Sequence, residues 1–174
     1  LYAFVGPPLA ESFVKYYVFT PEQCKKGIEY YREYYVGKGM FENTVYPGIG
    51  ELAACLKDAG RKLVVATSKP EQYAVQIMEH FGLAQYFARI AGASMDENRV
   101  EKADVLRYAI EAGGYDPSRA VMVGDRENDV RGARENGLPC IGVLYGYGSR
   151  EELVKAGAAQ IAATVEELKK CLER

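Results

Sequence analysis

Tryptophan is absent from this sequence, and histidine occurs once, as His80. A Ser-His-Asp triad would have to use that one residue. It stands in Ile77-Met78-Glu79-His80-Phe81-Gly82, which reads as the end of a helix. A cation there suits the helix dipole, so His80 is given a structural role. The cysteines are few and scattered: Cys24, Cys55, Cys140 and Cys171, with no C-x-x-C spacing. That excludes structural zinc and a disulfide framework, and a reducing cytoplasm is the expected compartment. Basic charge is not in excess, with 22 Lys and Arg against 24 Asp and Glu, a net charge of −2. No nucleic-acid partner is expected from that balance. No apolar run approaches the roughly 20 residues of a membrane helix, so no membrane partner is expected either. Leu1 to Pro8 lack the basic start and apolar core of a signal peptide. What is present is ordinary. The 174 residues are 48% hydrophobic and 26% charged, which excludes disorder as the main state and allows one domain with a small appended piece.

Two zones divide the chain. Residues 1 to 46 hold Tyr2, Tyr16, Tyr17, Tyr30, Tyr31, Tyr34, Tyr35 and Tyr46. Thr20-Pro21-Glu22-Gln23 has the chemistry of a helix start: a hydroxyl N-cap, Pro in the first turn, and Gln in the capping-box place. The helix is expected to run to Val36 and stop at Gly37-Lys38-Gly39. Tyr30, Tyr31, Tyr34 and Tyr35 share one broad face, expected to pack against a helix over residues 11–18. From Pro47 onward, short apolar strands alternate with helices. Strands are expected at 62–67, 88–91, 119–124, 139–144 and 160–162. Helices are expected at 48–59, 70–80, 100–112, 127–136, 149–156 and 164–172. Continuous apolar strands between amphipathic helices predict an α/β fold with a parallel sheet covered on both faces.

Ligands of such sheets bind beyond the carboxyl ends of the strands. Three segments bring polar groups there. In Val65-Ala66-Thr67-Ser68-Lys69-Pro70, two hydroxyls and a cation follow a strand and precede a helix. They suit a phosphate oxygen, and equally the plain start of a Pro-initiated helix. In Gly124-Asp125-Arg126-Glu127-Asn128-Asp129, two carboxylates four apart share a helix face. Hard oxygens suit Mg2+, while the bland alternative is an N-cap followed by a solvated helix residue. Lys102 falls in the first turn of a helix, where the dipole disfavours a cation. A buried anion would explain it, as would a simple surface position.

Order and spacing join the three. A strand ending at Thr67, a helix-borne Lys102 and a strand leading to Asp125 and Asp129 resemble motifs II, III and IV of the haloacid dehalogenase-like hydrolases. Phe4-Val5-Gly6-Pro7-Pro8-Leu9, Tyr31-Arg32-Glu33-Tyr34-Tyr35, Tyr46-Pro47-Gly48, Thr67-Ser68-Lys69-Pro70 and Gly124-Asp125-Arg126 resemble its phosphoglycolate-phosphatase-like branch. The resemblance implies a three-layer, Rossmann-like core over residues 47–174 and part of a helical cap over residues 1–46. It implies a Mg2+-dependent phosphatase acting on a small phosphorylated substrate through an aspartyl-phosphate. Thr67 and Ser68 would bind the phosphoryl group, with Lys69 beside them. Lys102 would neutralise charge developing on its oxygens. Asp125 would bind Mg2+, and Asp129 would hold a metal-bound water or orient the site from behind. Gly6, Pro7 and Arg32 would help select the substrate. A monomer or weak homodimer is expected.

The family's first motif, D-x-D-G-T, does not occur in the sequence. Its first aspartate is the family's nucleophile. The expectation is therefore a chain lacking the N-terminal part of a longer protein, and inactive by itself. The family's strand bearing that motif lies between the strands ending at Thr67 and Gly124. A gap is expected there, or a segment such as Leu1 to Val5 filling it. The competing reading is a pseudo-phosphatase that binds phosphate-bearing ligands without hydrolysing them.

Overall fold

The computed structural model describes residues 9–96 and 98–173. They form two compact units that divide between Thr44 and Val45.

The first unit is a pair of helices, α1 (Leu9–Tyr17) and α2 (Pro21–Gly37), followed by a 3-10 turn over Gly39–Phe41. Thr20 caps α2 as its sequence requires. Its hydroxyl accepts from the Gln23 amide, and the Gln23 side chain accepts from the Thr20 amide at 2.8 Å. The helices meet at Gly27, where a Cβ would lie 3.2 Å from the Phe13 ring. Phe13 stacks on Phe19, and Cys24 is buried beside them. The tyrosine face is not the seam. Tyr30, Tyr31 and Tyr34 are exposed, and Tyr31 stacks on Tyr35 within the same helix. This corrects the expected packing: close approach at a glycine lets the phenylalanines form the contact and turns the tyrosines outward.

The second unit runs α3 (Ile49–Asp58), β1 (Val64–Pro70), α4 (Glu71–His80), β2 (Arg89–Ala93), α5 (Lys102–Gly113), β3 (Met122–Gly124), α6 (Glu127–Glu135), β4 (Cys140–Val143), α7 (Arg150–Ala156), β5 (Gln160–Ala162) and α8 (Val165–Leu172). Every strand pair is parallel, each joined through a helix. Alternate residues feed opposite faces. Met122, Cys140 and Ile161 pack with Leu106, Val130, Ala133 and Leu153 of α5, α6 and α7. Val123, Ile141, Val143 and Ala162 pack with Leu52 of α3 and Leu168 of α8. The result is helices, sheet, helices, a three-layer α/β fold.

The sheet comes in two pieces, β1-β2 and β3-β4-β5. Among the described residues β1 and β3 share no ladder, as expected. Leu1 to Val5 lie outside the described residues. Another boundary differs from expectation. Pro70 does not open α4; it ends β1, and the helix begins at Glu71. Pairing with β2 passes from Thr67–Gly92 to Pro70–Ala93, so Ser68 and Lys69 have no partner in that ladder. Gly92 permits this bulge, since a Cβ there would lie 2.5 Å from the Lys69 carbonyl oxygen.

Candidate active site

β3 ends at Gly124 because nothing larger fits. A Cβ at that position would lie 2.2 Å from the Cβ of Asp129. Asp129, in the first turn of α6, is 6% exposed. Its Oδ2 accepts from the backbone N–H of Asp125 at 3.0 Å and of Arg126 at 3.1 Å. Its Oδ1 pairs with Lys102 Nζ at 2.9 Å. Both oxygens are therefore engaged, and Asp129 stands behind Asp125 and holds the turn that carries it.

Lys102 is the first residue of α5, where its charge opposes the helix dipole. Asp129 is the buried anion that accounts for it. The ammonium also donates to the Ala66 carbonyl at 2.9 Å, one residue before Thr67. One side chain thus ties β1 to α6 across the interval where β1 and β3 do not pair. Gly132 in α6 makes room for it, since a Cβ there would lie 2.8 Å from Lys102 Cγ.

Asp125 points its carboxylate at the loop after β4. Oδ2 accepts from the Tyr147 N–H at 2.8 Å. Oδ1 takes no hydrogen bond among the described residues. The loop can approach because it is Tyr145-Gly146-Tyr147-Gly148. A Cβ on Gly146 would lie 2.3 Å from Asp125 Cβ, and one on Gly148 would lie 1.9 Å from the Asp125 carbonyl oxygen. On the other side Glu152 of α7 accepts from Arg126 Nε and from the Glu127 N–H, both at 2.8 Å. Burial works against its charge, but these donors outweigh it and hold the carboxyl below the usual glutamate range. Sequence reasoning missed Tyr147 and Glu152. The available signal was two glycines directly after a strand, where parallel sheets bind ligands.

Thr67 and Ser68 are half-buried, and Thr67 Oγ1 accepts from the Lys69 N–H at 3.2 Å. Lys69 keeps an exposed surface, yet the protein packed around it lowers its ammonium pKa. Tyr145 packs edge-on against Tyr46 at 5.3 Å. Burial, then the charge of Asp125, pushes the Tyr145 hydroxyl up to about 12. Cys140 of β4 is likewise pushed up to about 12, by burial and then by Asp129. Arg32 lies on α2 in the first unit and makes no ion pair among the described residues. Gly6 and Pro7 lie outside the described residues. A cleft of about 460 Å³ between α6 and α7 is lined by Glu127, Arg131, Arg134, Glu152, Lys155 and Ala156. Neither Asp125, Lys102 nor Thr67 lines it, so it is not this site.

The donor set bears on a divalent metal. The free Oδ1 of Asp125 is a hard oxygen at the end of a parallel strand, which suits Mg2+ held by one or two carboxylates, waters and phosphate oxygens. Among the described residues no group of three His, Cys, Asp or Glu side chains gathers to hold a metal. Asp125 fits as one ligand of such an ion, not as the whole of its site.

The arrangement has counterparts. The model of the haloacid dehalogenase-like hydrolase family matches residues 1–143. The chain belongs to this family. It is 37% identical to a 5'-nucleotidase of Pseudomonas aeruginosa over 98% of this chain and 77% of that protein. It is 41% identical to the tyrosine-protein kinase PtkA of Mycobacterium tuberculosis over 97% of this chain, which spans 58% of that protein's length. Phosphoglycolate phosphatases match as well, that of Caulobacter vibrioides at 34% over 80% of this chain and 58% of its own length. Among solved structures, a predicted phosphatase from Clostridium acetobutylicum superposes with a TM-score of 0.94 at 53% identity, over 98% of this chain and 79% of that one. No helix among the described residues is long and apolar enough to cross a membrane.

Proposed function

We propose that this chain serves a Mg2+-dependent phosphomonoester hydrolase, acting on a small phosphorylated metabolite such as phosphoglycolate or a nucleoside monophosphate. The observation that carries the reading is the Lys102 ammonium. It bonds the Ala66 carbonyl beside Thr67 and the Asp129 carboxylate behind Asp125. That contact sets the cation beside the end of β1 and the turn after β3, which supports a phosphate site there. The relatives named as 5'-nucleotidase and phosphoglycolate phosphatase support the substrate class.

In this reading the Thr67 hydroxyl donates to a phosphoryl oxygen, and Ser68 and Lys69 hold the substrate beside it. Lys102 balances negative charge that grows on the phosphoryl oxygens, an interaction stronger in the transition state than in the ground state. Asp125 Oδ1 would be one ligand of Mg2+, which would supply further charge neutralisation at phosphate. Asp129 keeps the Asp125 turn in place. The nucleophile that forms the aspartyl-phosphate is a D-x-D-G-T aspartate, which the 174 residues do not contain. A strand carrying it would fit between β1 and β3. Residues 1–46 would form part of a helical cap. Cytoplasmic location and a monomer or weak homodimer complete the reading.

The test is hydrolysis of p-nitrophenyl phosphate with and without Mg2+, by the protein as its gene encodes it and by these 174 residues alone. The first should turn over only with the metal, and the second should not. Asp125→Asn should abolish metal-dependent turnover; full activity in that variant would remove Asp125 from the site. The second reading, a phosphate-binding protein without hydrolysis, rests on the same missing motif. It predicts no turnover in either form, with phosphate binding retained.

A further inference from the structure

Three devices outside the expected motifs converge on Asp125, and all lie between residues 146 and 152. The Tyr147 N–H occupies Oδ2 at 2.8 Å. Gly146 and Gly148 close on the residue so tightly that no side chain fits at either position. Glu152 holds the next two residues, through Arg126 Nε and the Glu127 N–H. Asp129 alone fixes only the backbone amides of Asp125 and Arg126; it makes no hydrogen bond to the Asp125 carboxylate. Something else must decide which carboxylate oxygen faces outward.

We infer that the segment Gly146–Glu152 is the positioning element for Asp125: it takes Oδ2 out of play, turns Oδ1 toward the ligand, and clamps the turn from the α7 side. The inference rests on the reading of Asp125 as a cation ligand. It assigns Tyr147 a role through its main chain and Glu152 a role through its carboxylate. Neither touches substrate. A glycine-rich loop is required because backbone must reach a carboxylate that is already enclosed. Partners of this kind behind a metal ligand commonly change metal affinity by about 10–100-fold when lost.

The test uses Mn2+ as the probe, its binding followed by electron paramagnetic resonance on the protein as its gene encodes it, without substrate. Thermal melting is recorded in parallel. Glu152→Ala should weaken Mn2+ binding at least about tenfold with the melting temperature little changed, and Gly148→Ala, whose methyl must push the loop off Asp125, should weaken it at least as much. Glu152→Gln keeps an acceptor oxygen and should recover part of the loss. It also serves as the deciding variant if Glu152→Ala or Gly148→Ala does not fold. With substrate, the loss should be relieved by added metal, so kcat returns at high Mg2+, which a general loss of structure would not give. If Asp125→Asn abolishes Mn2+ binding while the folded 146–152 variants bind as tightly as the natural protein, this inference is overturned and the function stands. If Asp125→Asn itself binds Mn2+ unchanged, the assignment of Asp125 fails, and this inference with it.

Discussion

Lys102 carries two bonds that its own helix could not offer. Its side chain is 13% exposed and that of Asp129 8%, so the pair is largely out of water. Removing one partner leaves the other charged and buried, at a cost of about 3–5 kcal/mol. Lys102→Ala should therefore lower stability by about that amount in urea unfolding, as well as removing catalysis. A loss under 1 kcal/mol would mean that water reaches Asp129. Cys140 poses a different question at the same scale. Burial and Asp129 keep its thiol protonated up to about 12, against 9.0 for the free thiol. The native state thus holds a proton that the unfolded chain releases above about pH 9. Below that, both states are protonated and the group has no effect. As pH rises from about 9 toward 12, unfolding is favoured. The urea midpoint should fall with pH over that window, and less steeply in Cys140→Ala. Equal slopes would assign the alkaline loss to other groups. Lys102, Asp125 and Asp129 were legible in the sequence as separate residues. Their mutual contacts were not, since 27 positions and a change of element separate Lys102 from Asp129.

At the scale of elements, local chemistry was a good guide wherever it was self-contained. Thr20 with Gln23 gave the start of α2, and continuous apolar runs gave the strands. It failed where a neighbour intervened. Pro70 resembles a first helical residue, but β2 claims it as the last residue of β1. The four tyrosines of α2 resemble a packing stripe, but Gly27 brings the phenylalanines together first. The end of α1 shows a further strain. The Val18 N–H bonds the Val14 carbonyl and that of Phe19 the Phe13 carbonyl, a turn that usually ends on glycine. Val18 occupies it at φ +55°, and its side chain is 83% exposed. A β-branched residue there costs about 1–2 kcal/mol. Val18→Gly should stabilise the first unit by about 1 kcal/mol, read as a higher midpoint in urea. An unchanged or lower midpoint would show that the strain is relieved elsewhere.

Across the whole molecule, the division into two units is the feature with the plainest consequence. Asn43 and Thr44 are exposed and belong to no helix or strand. Exposed backbone without ladder or helix bonds is where proteases cut first. Limited digestion with a broad-specificity protease should therefore make its first cut near Thr44–Val45 and release fragments that end and begin there. A first cut inside α5, α6 or β4 would contradict the division. The same scale holds the open interval between β1 and β3. Among the described residues a lysine side chain, and no ladder, links β1 to the turn after β3.

The sequence by itself determined the parallel α/β class and the order of the elements, and its motif resemblance pointed to the family and to Thr67, Lys102, Asp125 and Asp129 as candidates. These follow from periodicity, capping and motif spacing, all local properties of the chain. Only the tertiary structure decided that Asp129 holds the backbone of Asp125, that Lys102 ties β1 to α6, and that the 146–152 segment encloses Asp125. Each of those depends on contacts between residues distant in sequence, and on glycines whose purpose is visible only when the neighbouring element is in place.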